Sequence, residues 1–245
     1  MRLLVANPNT TQGVTDRIAR VARAACAPGT EIVAVTAGFG AEYIATRAEA
    51  VLGAHATLDL LANHAQGCDA AVVAAFADPG LGAARELLSI PVVGMAEASM
   101  LTACMLGRRF AILTFAVALE PWYQECVEYN GLAGRCAGIF CLDEPFQAIT
   151  SVAEEKAQRL VALAGRAIAA GADVIILGGA PLAGLAFDLA EQVAVPMVDA
   201  VAAAVRQAET LAALRPRKPV AGTFRRPGPK SITGISPALA GLFKG

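Results

Sequence analysis

The chain has 245 residues, 56% of them hydrophobic and 17% charged, with a formal net charge of −1 at pH 7. An average soluble domain carries about 25% charged residues, so this chain can bury a large core and still leave apolar surface for a homo-oligomer, while its near-neutral balance gives no grounds for nucleic acid or a membrane surface as partner. Uncharged runs such as Val174 to Phe187 fall short of the ~18 to 20 residues a membrane-spanning helix needs.

Met1-Arg2-Leu3-Leu4-Val5 runs directly into an apolar strand, without the charged leader, apolar stretch and cleavage site of a secretory signal, so a cytoplasmic protein is expected. In chain order, apolar strands are predicted at Leu3 to Ala6, Glu31 to Val35, Asp69 to Ala75 and Ser89 to Gly94. Strands are predicted again at Phe110 to Leu113, Gly138 to Leu142, Asp173 to Gly179 and Ala194 to Asp199. Helical patterns lie between them, at about 11–26, 46–66 and 80–88, then 117–130, 150–170 and 183–193, with a last helix at about 200–213. Cys104 falls in a further predicted helix after the first set of strands.

The two sets repeat each other. Asp69-Ala-Ala-Val-Val-Ala-Ala75 parallels Asp173-Val-Ile-Ile-Leu-Gly-Gly179, and Ser89-Ile-Pro91-Val-Val-Gly94 parallels Ala194-Val-Pro196-Met-Val-Asp199. Continuous apolar strands alternating with helices imply parallel sheets covered on both faces. The expected fold is therefore α/β: two pseudo-symmetric, doubly wound lobes, each with a parallel four-stranded sheet, and a ligand cleft between them. Residues 1–98 plus 200–245 form the first lobe with its C-terminal helix and arm, and 99–199 form the second. Right-handed crossovers place every strand-to-helix loop at the carboxyl edge of its sheet, facing the cleft.

Those loops carry the candidate site. The first is Asn7-Pro8-Asn9-Thr10-Thr11, whose polar run at a helix start suits a carboxylate or a polarised carbonyl. Gly38 to Ala45 adds Tyr43 as a polar reach into the cleft. Ala75-Phe76-Ala77-Asp78-Pro79-Gly80-Leu81 follows, with Asp78 read as the cap of the helix after Pro79. Thr114-Phe115 ends the second half's first strand. Gly178-Gly179-Ala180-Pro181-Leu182-Ala183-Gly184-Leu185 lets a ligand approach the backbone closely. There is no Gly-x-Gly-x-x-Gly after the first strand to support nucleotide binding.

Six cysteines (26, 68, 104, 126, 136, 141) show no metal spacing, and with no secretion signal a disulfide framework is not expected. His55 and His64 share one predicted helix without further ligands, so no metal site is expected. Residues 215–245 hold seven basic residues and no acid; we read them as an arm packing over the body or over a neighbouring subunit.

Asn7-Pro8-Asn9-Thr10, Phe76-Ala77-Asp78-Pro79-Gly80-Leu81, Arg108-Arg109-Phe110 and Gly178 to Leu185 together resemble the hydantoin and allantoin racemases of the Asp/Glu/hydantoin racemase family, across almost the whole chain. The resemblance implies an isomerase working without a cofactor on a small carboxylate or cyclic ureide. In it, two thiols, one per lobe, remove and deliver a proton on opposite faces of an acidic carbon. It implies ligand contacts from Asn7, Asn9, Thr10, Tyr43, Ala75, Phe76, Thr114, Phe115, Gly179, Ala180 and Pro181. It also exposes two departures: the family's thiol positions fall on Ala75 and Gly179, neither of which transfers a proton. Thr114 matches a family threonine, Phe115 replaces its neighbour, and Tyr43-Ile44 stands where the family has Ser-Ile. Substitute groups read from the sequence are Cys141, Cys104 and Glu97, with Asp188, Asp199 and Glu120 behind them. The alternatives to α-carbon proton chemistry are a ligand-binding protein that has lost turnover, or a decarboxylase- or hydratase-type lyase of the same superfamily.

Overall fold

A computed structural model describes residues 1–244 and contains two parallel sheets of four strands each. In the first, β1 (Arg2–Asn7), β2 (Glu31–Thr36), β3 (Ala70–Val73) and β4 (Val92–Gly94) lie in the order β2-β1-β3-β4. In the second, β5 (Phe110–Thr114), β6 (Cys136–Cys141), β7 (Val174–Leu177) and β8 (Met197–Asp199) lie in the matching order β6-β5-β7-β8. The central strands are buried along their length. That burial accounts for their unbroken apolar runs in place of the alternation of a half-exposed strand.

The repeated aspartates have a structural duty. Asp69 accepts the backbone N–H of Arg2 at 2.7 Å. Asp173 accepts those of Arg108 and Arg109 at 3.0 and 2.9 Å. Each carboxylate thus ties the start of a central strand to the segment leading into its neighbour, in the same way in both lobes.

Helices cover the sheets. α1 (Gln12–Ala25) buries Val14, Ile18, Val21 and Ala22, a spacing that forms one helical stripe. Fully burying a side chain such as Ile18 is worth about 1.5–3 kcal/mol. α2 (Arg47–His64) begins in a reciprocal capping box between Thr46 and Glu49, and Glu49 also accepts the N–H of Ala45 at 2.8 Å. α3 (Leu81–Leu87) and α4 (Met95–Leu106) complete the first set. The second set is α5 (Glu120–Tyr129), preceded by a 3-10 turn at Val117–Leu119, then α6 (Val152–Ala169) and α7 (Leu185–Asp188).

The helix expected at 183–193 is thus cut to one turn plus a 3-10 turn at Ala190–Gln192. Gly184 stands at φ +89° just before α7, and Asp199 takes its N–H at 2.6 Å, which fixes the helix start at Leu185. α8 (Ala200–Leu214) packs on α1, α4 and β3, returning to the first half as expected. α4 runs unbroken through residues 98 and 99, where the sequence suggested a lobe boundary, and touches β7 and β8 as well as α8. One apolar core runs through both halves, and a smaller cluster lies beneath α2 and α3.

The basic arm lies against the body. Lys218 donates to the carbonyl of Arg85 and Arg226 to that of Leu87 at 2.9 Å, placing two cations on the last carbonyls of α3. Its terminal helix α9 (Pro237–Leu242), which the sequence did not suggest, packs on α2. Among the described residues no helix is long and apolar enough to cross a membrane.

Candidate functional site

In each sheet the strand order reverses at the central pair, and crevices at such points lie outside the carboxyl ends of the strands. The loops after β1, β3, β5 and β7 therefore converge, joined by the loop after β2. They enclose a cavity of about 30 Å³ between the halves. Its wall includes Asn9, Tyr43, Ala75, Phe76, Phe115, Gly179, Ala180 and Pro181 from the sequence reading, with Ile44, Leu119 and Tyr123 added.

The first loop is held by its own side chains. Asn7 donates to Asn9 Oδ1 at 3.0 Å and to Thr15 Oγ1 at 2.9 Å, while Asn9 Oδ1 also accepts the N–H of Thr11 at 3.0 Å. Asn7 is fully buried, so it braces the loop and does not line the cavity. Thr10 also stays off the wall: its N–H binds the carbonyl of Ala41, and Thr11 Oγ1 donates to the carbonyl of Glu42 at 2.7 Å. These two bonds tie the β1 loop to the segment that presents Tyr43.

The β3 loop is strained. Ala77 and Asp78 both have positive φ, 75° and 54°, a conformation that costs a non-glycine residue about 1–3 kcal/mol. Asp78 does not cap α3, as the sequence suggested, because that helix starts later, at Leu81 behind Gly80. Its carboxylate instead accepts the N–H groups of Ala96 and Glu97, both at 2.8 Å, at the start of α4. Gly94 has to lack a side chain here, since a Cβ would sit 2.3 Å from Asp78 Oδ2. In the second half the carboxylate comes from the other partner. Asp199, the counterpart of Gly94, accepts the N–H of Ala202 at 2.9 Å and that of Gly184, while Leu182 stands at the counterpart of Asp78. Burial raises both acids, Asp78 to about 7.

Aromatic rings fill the cleft. Phe115 and Tyr123 are each 2% exposed. Tyr123 stacks on Phe76 with centroids 4.7 Å apart. Phe146, from the segment between β6 and α6, packs edge-on against Phe115 at 5.5 Å and Tyr43 at 6.0 Å. Lys156, itself buried, fastens that segment by donating to the carbonyl of Pro145 at 2.7 Å and to Glu144 at 3.3 Å. Thr114 Oγ1, behind this wall, is buried with no hydrogen-bond partner at bonding distance.

The substitute groups read from the sequence do not reach the cavity wall. Glu97 faces away, in a bidentate pair with Arg85. Cys104 lies on α4, where Arg135 binds its carbonyl. Cys141 ends an edge strand, and burial, with Glu120 nearby, pushes its thiol up to about 12, leaving almost no thiolate at neutral pH. Asp199 is occupied as a cap. The residue the sequence reading missed is Tyr123. Its signal was indirect: Gly178-Gly179 leave a hole that some large side chain must occupy.

The family model for Asp/Glu/hydantoin racemases matches residues 3–208. The hydantoin racemase of Pseudomonas sp. (strain NS671) is 32% identical over 242 residues, 96% of this chain and 95% of that protein. An allantoin racemase from Klebsiella pneumoniae superposes with a TM-score of 0.87 at 34% identity, covering 99% of this chain and 98% of its own. That of Pseudomonas fluorescens gives the same score at 35% identity, with 96% and 100% covered.

Proposed function

The chain belongs to the Asp/Glu/hydantoin racemase family and is by that relationship a racemase-type enzyme, and on that premise we propose that it moves a proton at the α carbon of a small carboxylate or hydantoin-like substrate, without a cofactor. The observation that carries this reading is the convergence of five loops, from both halves, on one small cavity. Backbone N–H groups of the loops then stabilise negative charge as it develops on the substrate oxygen. With Ala75 and Gly179 at the thiol positions, the two-thiol route is closed to this chain.

The reading is tested by incubating the protein in deuterated water with hydantoins, allantoin, amino acids and substituted malonates, following the α proton by NMR and the melting temperature in parallel. Deuterium incorporation into any of them supports the reading. Thermal stabilisation without incorporation overturns it in favour of a ligand-binding protein without turnover, a reading favoured by the absence of any thiol, imidazole or carboxylate from the cavity wall among the described residues. Loss of carbon dioxide from a malonate would instead identify a lyase.

A further inference from the structure

We propose that the Tyr123 hydroxyl is the proton-transfer group on the second-lobe face of the site, standing in for the thiol that Gly179 lacks; this rests on the α-carbon proton chemistry proposed above. The geometry is that of an exchange of one side chain for another. A Cβ built on Gly179 would lie 3.6 Å from Tyr123 Oη and 2.9 Å from Phe115 Cε1. One built on Gly178 would lie 3.0 Å from Tyr123 Cε2. At Gly178 the Cβ would also meet Ile112 Cγ2 at 2.7 Å; the space into which a side chain at 179 would project is taken by the ring of Phe115 with Tyr123 beside it, and the polar atom there is the phenol oxygen. Gly179 stands at φ +125°, which further disfavours any L side chain.

Tyr123 reaches this place from α5, with its ring buried against Phe76, and lines the cavity. Among the described residues it is the titratable wall group that the glycine geometry puts beside position 179; Tyr43, the other phenol of the wall, comes from the loop after β2. Burial pushes the Tyr123 phenol well above its ordinary range. The groups facing it are Thr114 on β5, whose hydroxyl favours the ionised form, and Cys126 on α5, Cys141 on β6 and Asp78 in the β3 loop, all of which disfavour it. The phenol is thus neutral at physiological pH.

The step balances simply. An enolate in the cavity takes the Oη proton onto its α carbon, the O–H electron pair remains on Tyr123 as phenolate, and water restores the proton. In reverse, the minority phenolate removes the α proton and leaves the electron pair in the enolate. Exchange therefore accelerates about tenfold per pH unit below the phenol pKa, because the phenolate fraction does so.

The test measures α-proton exchange, in deuterated water, of the substrate identified above. Positioned acid–base groups contribute about 10²–10⁴-fold, so Tyr123→Phe should slow exchange at least 100-fold while ligand-induced stabilisation is retained. A variant carrying 3-fluorotyrosine at position 123, which keeps the ring and its packing, should move the pH–rate profile to lower pH, a response that mere space-filling does not give. Exchange by the wild type that survives Tyr123→Phe within about threefold, or an unmoved profile with the fluorinated residue, overturns the assignment and leaves the proposed function standing. A wild type that exchanges nothing overturns the proposed function, and this assignment with it. Should Tyr123→Phe fail to fold, the fluorotyrosine profile alone decides.

Discussion

Restoring the second thiol alone, by Gly179→Cys, should destabilise the protein, and the cost can be worked from two features of the site. The backbone at φ +125° penalises an L side chain by about 1–3 kcal/mol. The new Cβ meets Phe115 Cε1 at 2.9 Å, inside any ordinary carbon contact, and overpacking of this kind costs about 1–3 kcal/mol. Together about 2–6 kcal/mol is at stake, a large share of the roughly 5–15 kcal/mol that holds a domain folded. Only the second part is relieved by trimming the ring. Phe115→Leu should cost about 1–2 kcal/mol alone, as a partial large-to-small change in a buried site. The double variant should then be about 1–3 kcal/mol more stable than the sum of the two single effects. Urea unfolding of all four proteins at unchanged m measures this directly. Additivity within about 0.5 kcal/mol would refute the claim that Phe115 occupies the side-chain space of position 179.

The other predictions concern the supports of the site. Ala75→Cys, at a buried alanine free of the positive-φ restriction, should leave stability within about 1.5 kcal/mol of the parent, measured by the same unfolding assay. Asp78→Ala leaves the N–H groups of Ala96 and Glu97 without an acceptor and should cost about 2–4 kcal/mol, read by thermal unfolding at about pH 4, below the Asp78 titration. The sign of the Asp78 titration is also testable. Its folded pKa of about 7 lies above the ordinary 3.8, so between those values the folded chain holds a proton that the unfolded chain has lost. Stability contributed by this group is therefore present below about pH 4 and declines as pH rises to about 7, by roughly 4 kcal/mol in all. Asp78→Asn should flatten that part of the stability–pH curve, and an unchanged slope would contradict the burial argument. Phe146→Ala removes the ring packed against Phe115 and Tyr43 and should cost about 1–3 kcal/mol in urea unfolding, and an unchanged midpoint would contradict that packing.

The sheets were legible because their central strands are buried on both faces and so read as continuous apolar runs bounded by small residues. The repeat was legible because Asp69 and Asp173 do the same work in each half, and the loops at the strand ends carry their own turn chemistry. The cavity wall followed from those loops for eight residues, but Asn7, Thr10 and Thr114 turned out to brace or back the wall. Asp78 was rightly placed as a cap and wrongly assigned to α3, because its acceptor geometry depends on α4, distant in sequence. Tyr123 was invisible for the same reason. In Glu120-Pro-Trp-Tyr-Gln-Glu125 it looks like one residue of an amphipathic helix, and only long-range packing against Phe76 and the glycine pair brings it to the site. Cys141, Cys104 and Glu97 looked usable in sequence, where pairing with Arg85 and the distance from the wall cannot be seen.

The central claim is that this cleft, with Ala75 and Gly179 in its loops, supports proton chemistry at an α carbon. The most direct test is the rate of α-deuterium incorporation by the wild-type protein into an enantiopure 5-alkyl hydantoin, compared with the same solution lacking protein, from pH 7 to 9. The account predicts protein-dependent incorporation that rises about tenfold per pH unit, following the phenolate of Tyr123. Incorporation no faster than in the protein-free solution across the substrate panel, with ligand binding demonstrated, would contradict it.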